Sequence, residues 1–244
     1  MIYLIDDNQA EQRKLIYTLD FVDDGTYSSI MKSVKKIKNE GDARHIHHLD
    51  FLKDATCILM HSTTEGVDEN NHFIKGDISN VTKIKESISE HGDNIPLVLF
   101  SNGMENLVYD FKNKPRFLQK IKKNDFYVRL YDFLEDYKRT GQIELRILAY
   151  GKNFLQLALE QLSESILISI AGRHEDDLLK LSDISPYLSN FKEFMTSAGL
   201  ETRVDDILKN IEDNPSTVGK FRDNIISINE SFTKHGKNLH DWLQ

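Results

Sequence analysis

Short apolar runs alternate with amphipathic stretches through the first half of the chain. "IYLI" at 2–5 is the first such run. It leads into "NQAEQRKLIYTLDF", where Leu15, Ile16 and Leu19 recur at helical spacing behind Asn8, a capping residue with Glu11 three positions on. "TCILM" at 56–60 and "IPLVLF" at 95–100 predict two more buried strands. Between them "SNVTKIKESISEHG" reads as a helix stopped by Gly92. "FLQKI" at 117–121 is a fourth strand candidate. The helix after it carries a stripe of Phe126, Leu130, Phe133, Leu134 and Tyr137 and ends at Gly141. Strands that lack period-two alternation and are separated by helices imply a parallel sheet covered on both faces. Two stretches are less regular. "SSIMKSVKKIKN" reads as a helix, and "STTEGVDENNHFIKGD" at 62–77, rich in turn formers, reads as a long loop.

From Ile143 onward no strand pattern is present. "IELRILAYGKNFLQLALEQLSESILISIAG" has a broad apolar face and predicts one long helix closed by Gly172, about 40 Å at 1.5 Å per residue. Helices over 185–198, 201–212 and 215–235 follow, two of them starting near Ser185-Pro186 and Asn214-Pro215. The expected organisation is an α/β domain over 1–141 and an all-α helical bundle over 142–244.

Composition narrows the function classes. Hydrophobic residues make up 39%, enough for a core, while the net charge is −8. The charge divides as −3 before residue 142 and −5 after it. An acidic chain without a basic block argues against nucleic-acid binding and against docking on anionic membranes. A lone cysteine, Cys57, inside an apolar run fits a core residue in a reducing compartment. No stretch reaches the roughly 20 apolar residues of a membrane helix, and the opening run turns acidic too early for a signal peptide. The expectation is a cytoplasmic protein.

In a doubly wound sheet the ligand site lies at the carboxyl ends of the strands. Those ends carry Asp6 and Asp7, then His61 and Ser62, then Ser101 and Asn102, then Lys122 and Lys123. This series, in "IYLIDDN", "CILMH", "LVLFSNG" and "FLQKIKK", resembles the receiver domain of bacterial response regulators over residues 1–140. The resemblance implies a flavodoxin-like, receiver-like fold. It implies that Asp6 and Asp7 are the Mg²⁺-binding acids, that Ser101 contacts phosphate, and that Lys122, with Lys120 and Lys123 as alternatives, is the phosphate-contacting lysine. At the phospho-acceptor position the family has Asp and this chain has His61. The family's Lys-Pro pair is also missing.

The substitution has a chemical consequence. An aspartyl phosphate needs a carboxylate nucleophile beside a hard cation. An imidazole removes one anionic oxygen ligand, so at most weak Mg²⁺ binding is expected, and no other cofactor. A protonated His61 would pair with Asp6 or Asp7 in place of the metal. The first expectation is therefore a non-enzymatic signalling or regulatory protein, a degenerate receiver joined to a helical region that binds a protein partner or a second copy. The homodimer would form through the long helix near 143–171. The alternatives are a phospho-receiver with an unusual acceptor, and a metal-dependent phosphoesterase or nuclease using Asp6, Asp7 and His61. Paired acids before a helix also serve simply as partners of its dipole. "RHIHHLD" places His45, His47 and His48 together, a spacing that suits either a metal site or an exposed edge strand.

Overall fold

A computed structural model describes residues 2–6, 35–36, 52–53, 55–67, 73–90, 95–102, 111, 120–200, 217–223 and 226. The chain divides into two compact units, one of residues 1–109 and 113–151, the other of residues 110–112 and 152–244.

The first unit is α/β. Its sheet contains β1 (Ile2–Ile5), β2 (Lys35–Lys36), β3 (Cys57–His61), β6 (Leu97–Ser101) and β7 (Ile121–Lys122), all parallel, in the order β2-β1-β3-β6-β7. That order is compatible with a flavodoxin-like fold, whose switch point lies between β1 and β3. The three central strands are four or five residues of β-branched and long apolar side chains, buried on both faces. Register fixes which face each residue takes. Ile5 lies beside Met60, Ile58 beside Leu97, and Met60 beside Leu99. These five pack against Val81, Ile84 and Ile88 of α1 (Ser79–Glu90), with Leu52 and Ile95 closing the cluster. The opposite face meets α2 (Lys123–Thr140), where Phe100 stacks on Phe126 with centroids 4.0 Å apart and planes 9° from parallel. Cys57 is enclosed at the start of β3, and loss of hydration pushes its thiol up to about 12. Iodoacetamide in mildly alkaline buffer is expected to leave Cys57 unmodified until denaturant unfolds the chain. Rapid labelling of the native protein would contradict that burial.

Several expectations change. Residues 62–77 are not a loop throughout, since β4 (Thr64–Val67) and β5 (Phe73–Asp77) pair as an antiparallel hairpin with an irregularity near Thr64 and Gly66. Lys35 and Lys36, expected in a helix, instead pair with Tyr3 and Leu4 as the edge strand. The "RHIHHLD" histidines, Gly92 and the stretch 117–119 lie outside the described residues.

The long helix expected over 143–172 is broken. α2 ends at Gly141, which adopts φ 72° and donates its N–H to the Tyr137 carbonyl at 2.7 Å. α3 (Leu145–Tyr150) is capped by the Glu144 carboxylate, which accepts from the Arg146 N–H at 3.1 Å and from its guanidinium at 2.7 Å. Gly151 then takes φ 93° and ψ 163°, a conformation essentially reserved for glycine, and α4 (Phe154–Ser169) starts afresh. A Cβ at Gly151 would meet only the Arg129 Nε, at 3.9 Å, so backbone strain rather than collision sets the cost of a side chain. Gly151→Ala is expected to destabilise by about 1–3 kcal/mol in urea titration. An unchanged midpoint would mean that the chain passes this position in another conformation.

In the second unit, α4 packs against α5 (Leu181–Ser197) through Leu155, Leu159, Leu162 and Ile166 on one side and Ile184, Leu188, Phe191 and Met195 on the other. Phe154 meets Phe194 edge-on at 6.4 Å. α5 begins four residues earlier than its proline suggests. Asp183 accepts from the Lys180 N–H at 3.3 Å and from Arg173 at 2.5 Å, which fixes the start, and Pro186 sits inside the helix. The Arg173 guanidinium holds the Asp183 carboxyl below its ordinary range. Phe111 joins this unit by donating its N–H to the Ser197 carbonyl at 2.9 Å. The helix expected over 201–212 and most of that over 215–235 lie outside the described residues. No described helix is long and apolar enough to cross a membrane.

Candidate functional site

The carboxyl edge of the sheet gathers four of the five residues singled out from the sequence, and Asp7 lies outside the described residues. β1 ends one residue before Asp6, and β3 ends on His61. Because Ile5 and Met60 are neighbours in register, Asp6 and His61 follow side by side and share the opposite face. His61 is in turn paired in register with Phe100, and their rings meet edge-on at 5.5 Å. Ser101, half-buried, lies opposite Lys122 in the β6–β7 pairing.

Asp6 is buried and does not stand open to solvent. The Lys123 ammonium lies 3.3 Å from its Oδ2 and 3.4 Å from its Oδ1. The Tyr127 hydroxyl donates to Oδ2 at 2.6 Å. Lys123 and Tyr127 are each 1% exposed. A lysine at the first residue of a helix faces the positive end of the helix dipole, and its burial removes hydration. Both costs are offset only if an anion is held against it, and Asp6 is that anion. β3 and β6 stand between β1 and β7, so the pair spans three strand spacings of about 4.8 Å. It therefore crosses the carboxyl ends that carry His61 and Phe100. Tyr127 also packs edge-on against Phe100, at 5.6 Å, and against Phe126, at 4.9 Å.

Of the three lysines weighed from the sequence, Lys123 reaches the acid. Lys122, the one favoured there, is exposed, as is Lys120. Tyr127 was missed. Its signal is helical phase, because Lys123 and Tyr127 are four residues apart on one face of α2. His61 does not make the expected imidazolium pairing the main neutralisation of Asp6, since Lys123 supplies a cation there. The His61 Nδ1 instead contacts the Thr63 carbonyl within its own turn. Among the described residues no group of three or more His, Cys, Asp or Glu side chains is placed to hold a metal ion.

The chemistry available at this edge is that of a carboxylate already balanced from within, a half-buried imidazole beside it, and a hydroxyl and an amide, Ser101 and Asn102, at the next strand end. No protein-family model matches the chain, and no curated protein or solved structure matches it either.

Proposed function

We propose that this chain is a non-enzymatic regulatory protein, built from a degenerate receiver-like domain coupled to a helical region that binds a protein partner or a second copy. One observation carries the reading: the Lys123 ammonium and the Tyr127 hydroxyl are held against Asp6, an acid that a divalent cation would otherwise use. An ammonium delivers one positive charge permanently, where a metal delivers two reversibly. A domain neutralised in this way no longer depends on Mg²⁺ to keep its acidic edge from repelling itself. With His61 at the end of β3, no carboxylate stands at that strand end to form an acyl phosphate.

Mg²⁺ together with beryllofluoride, which stabilises a receiver through its acceptor carboxylate, is expected to leave the thermal midpoint of this chain unchanged. A rise in midpoint that Asp6→Asn abolishes would instead favour a working metal-dependent receiver. For the helical half, Leu157 and Ile168 are exposed on α4, eleven residues or about three turns apart and so on one face. A homodimer through this helix is the corresponding expectation. Light scattering should give a dimer at micromolar concentration that Ile168→Glu converts to a monomer, and a monomeric unaltered chain would refute the dimer.

A further inference from the structure

The outer face of α4 is built on a regular spacing. Leu157, Gln161, Glu164 and Ile168 follow one another at intervals of four, three and four residues, the alternation of a heptad core, and so form one stripe along the helix. All four are exposed, and the two at the ends are apolar, Leu157 at 59% and Ile168 at 67%. The packing of α4 on α5 uses a different stripe, Leu155, Leu159, Leu162 and Ile166. The exposed stripe has the property that a twofold axis requires. Read from either end, its intervals are the same and its ends are apolar, while the amide and the carboxylate change places. Such a surface is complementary to a copy of itself running the other way.

Charge selects that direction. Side by side and parallel, two α4 helices set Glu164 against Glu164, a like-charge contact. Antiparallel, each Gln161 amide faces a carboxylate, and the two helix dipoles oppose instead of adding. The flanks permit the approach. Ala158 and Ser165 border the stripe on one side with small side chains. On the other side Glu160 is drawn back along its own helix, where its carboxylate accepts from the Gln156 Nε2 at 2.8 Å.

We infer that two copies of this chain pair through antiparallel α4 helices, about a twofold axis at the level of Leu162 and Ser163. Leu157 packs against the partner's Ile168, and Gln161 donates to the partner's Glu164. The inference rests on the dimer proposed above and names its symmetry and register. It makes the central polar pair the element that fixes direction, with the apolar ends supplying the contact area.

The test uses the full chain carrying Leu157→Cys or Ile168→Cys, treated with a short bismaleimide under native conditions, where the enclosed Cys57 does not compete. In the antiparallel pair, identical positions are displaced by roughly 16 Å along the helix, beyond the reagent, while position 157 meets position 168. Covalent dimer is therefore expected from the mixed variants and from neither alone. A second measurement is the dimer dissociation constant. Gln161→Glu should weaken association roughly tenfold or more, since it creates two like-charge contacts per dimer, whereas Gln161→Lys should tighten it. Covalent dimer from either variant alone, or equal weakening by the two Gln161 substitutions, overturns the antiparallel register and leaves the dimer standing. A monomeric unaltered chain overturns both.

Discussion

Asp6→Ala is expected to destabilise the chain by about 3–5 kcal/mol, because it strands the Lys123 ammonium in a site that excludes water. Lys123→Met is expected to cost a similar amount by stranding the carboxylate instead, although Tyr127 still donates to it. Replacing all three groups together, Asp6→Leu with Lys123→Met and Tyr127→Phe, should recover most of the loss, since well-packed apolar substitutes often match or exceed a buried ion pair. The measurement is urea unfolding of the single and combined variants, read as a coupling energy. If the single substitutions shift the midpoint by only a few tenths of a kcal/mol, the pair is solvated and the metal-substitute reading loses its foundation.

Phe100→Ala is the second large effect, at about 3–5 kcal/mol. Phe100 is fully enclosed and contacts three rings, lying flat on Phe126 and edge-on to Tyr127 and His61. Its removal leaves a cavity between β6 and α2 and frees one side of the imidazole. Phe100→Leu keeps most of the volume and is expected to cost far less, while still removing the aromatic edge contact. Equal losses from the two substitutions would show that the ring contacts, and not the volume, carry the stability.

The central sheet was legible because its strands are buried on both faces. "IYLI", "CILM" and "LVLF" are uninterrupted apolar runs, and such runs have few other places to go. The same argument located the strand ends, and with them Asp6, His61 and Ser101. It failed wherever apolarity was not what made the structure. β2 is two lysines, held by backbone pairing to β1 and invisible to any hydrophobic pattern. The hairpin was hidden because Thr64, Val67, Phe73 and Ile74 are interleaved with Glu65, Gly66, Lys75 and Gly76. The break after α3 was hidden by the reverse error. The apolar face runs on through residues 147–170, and its continuity outweighed Gly151 and the following Asn153, a helix stop and a helix start in succession. Lys123 was recoverable in principle. The buried stripe of α2 read backwards, Leu134, Leu130 and Tyr127, arrives one turn earlier at Lys123 and passes over Lys122. Helical phase distinguishes the adjacent lysines, and position relative to the strand does not.

The spacing of the buried charge partners along the chain also bears on how the protein is made. Asp6 meets Lys123 and Tyr127 across separations of 117 and 121 residues. At about 5–20 residues per second, a ribosome needs roughly 6–24 s to synthesise that interval. Throughout it the residue that follows the first strand is a carboxylate whose native counter-charge does not yet exist. Nascent chains should therefore gain protease resistance late and abruptly, once α2 has emerged, and truncation before it should leave the N-terminal strands unprotected.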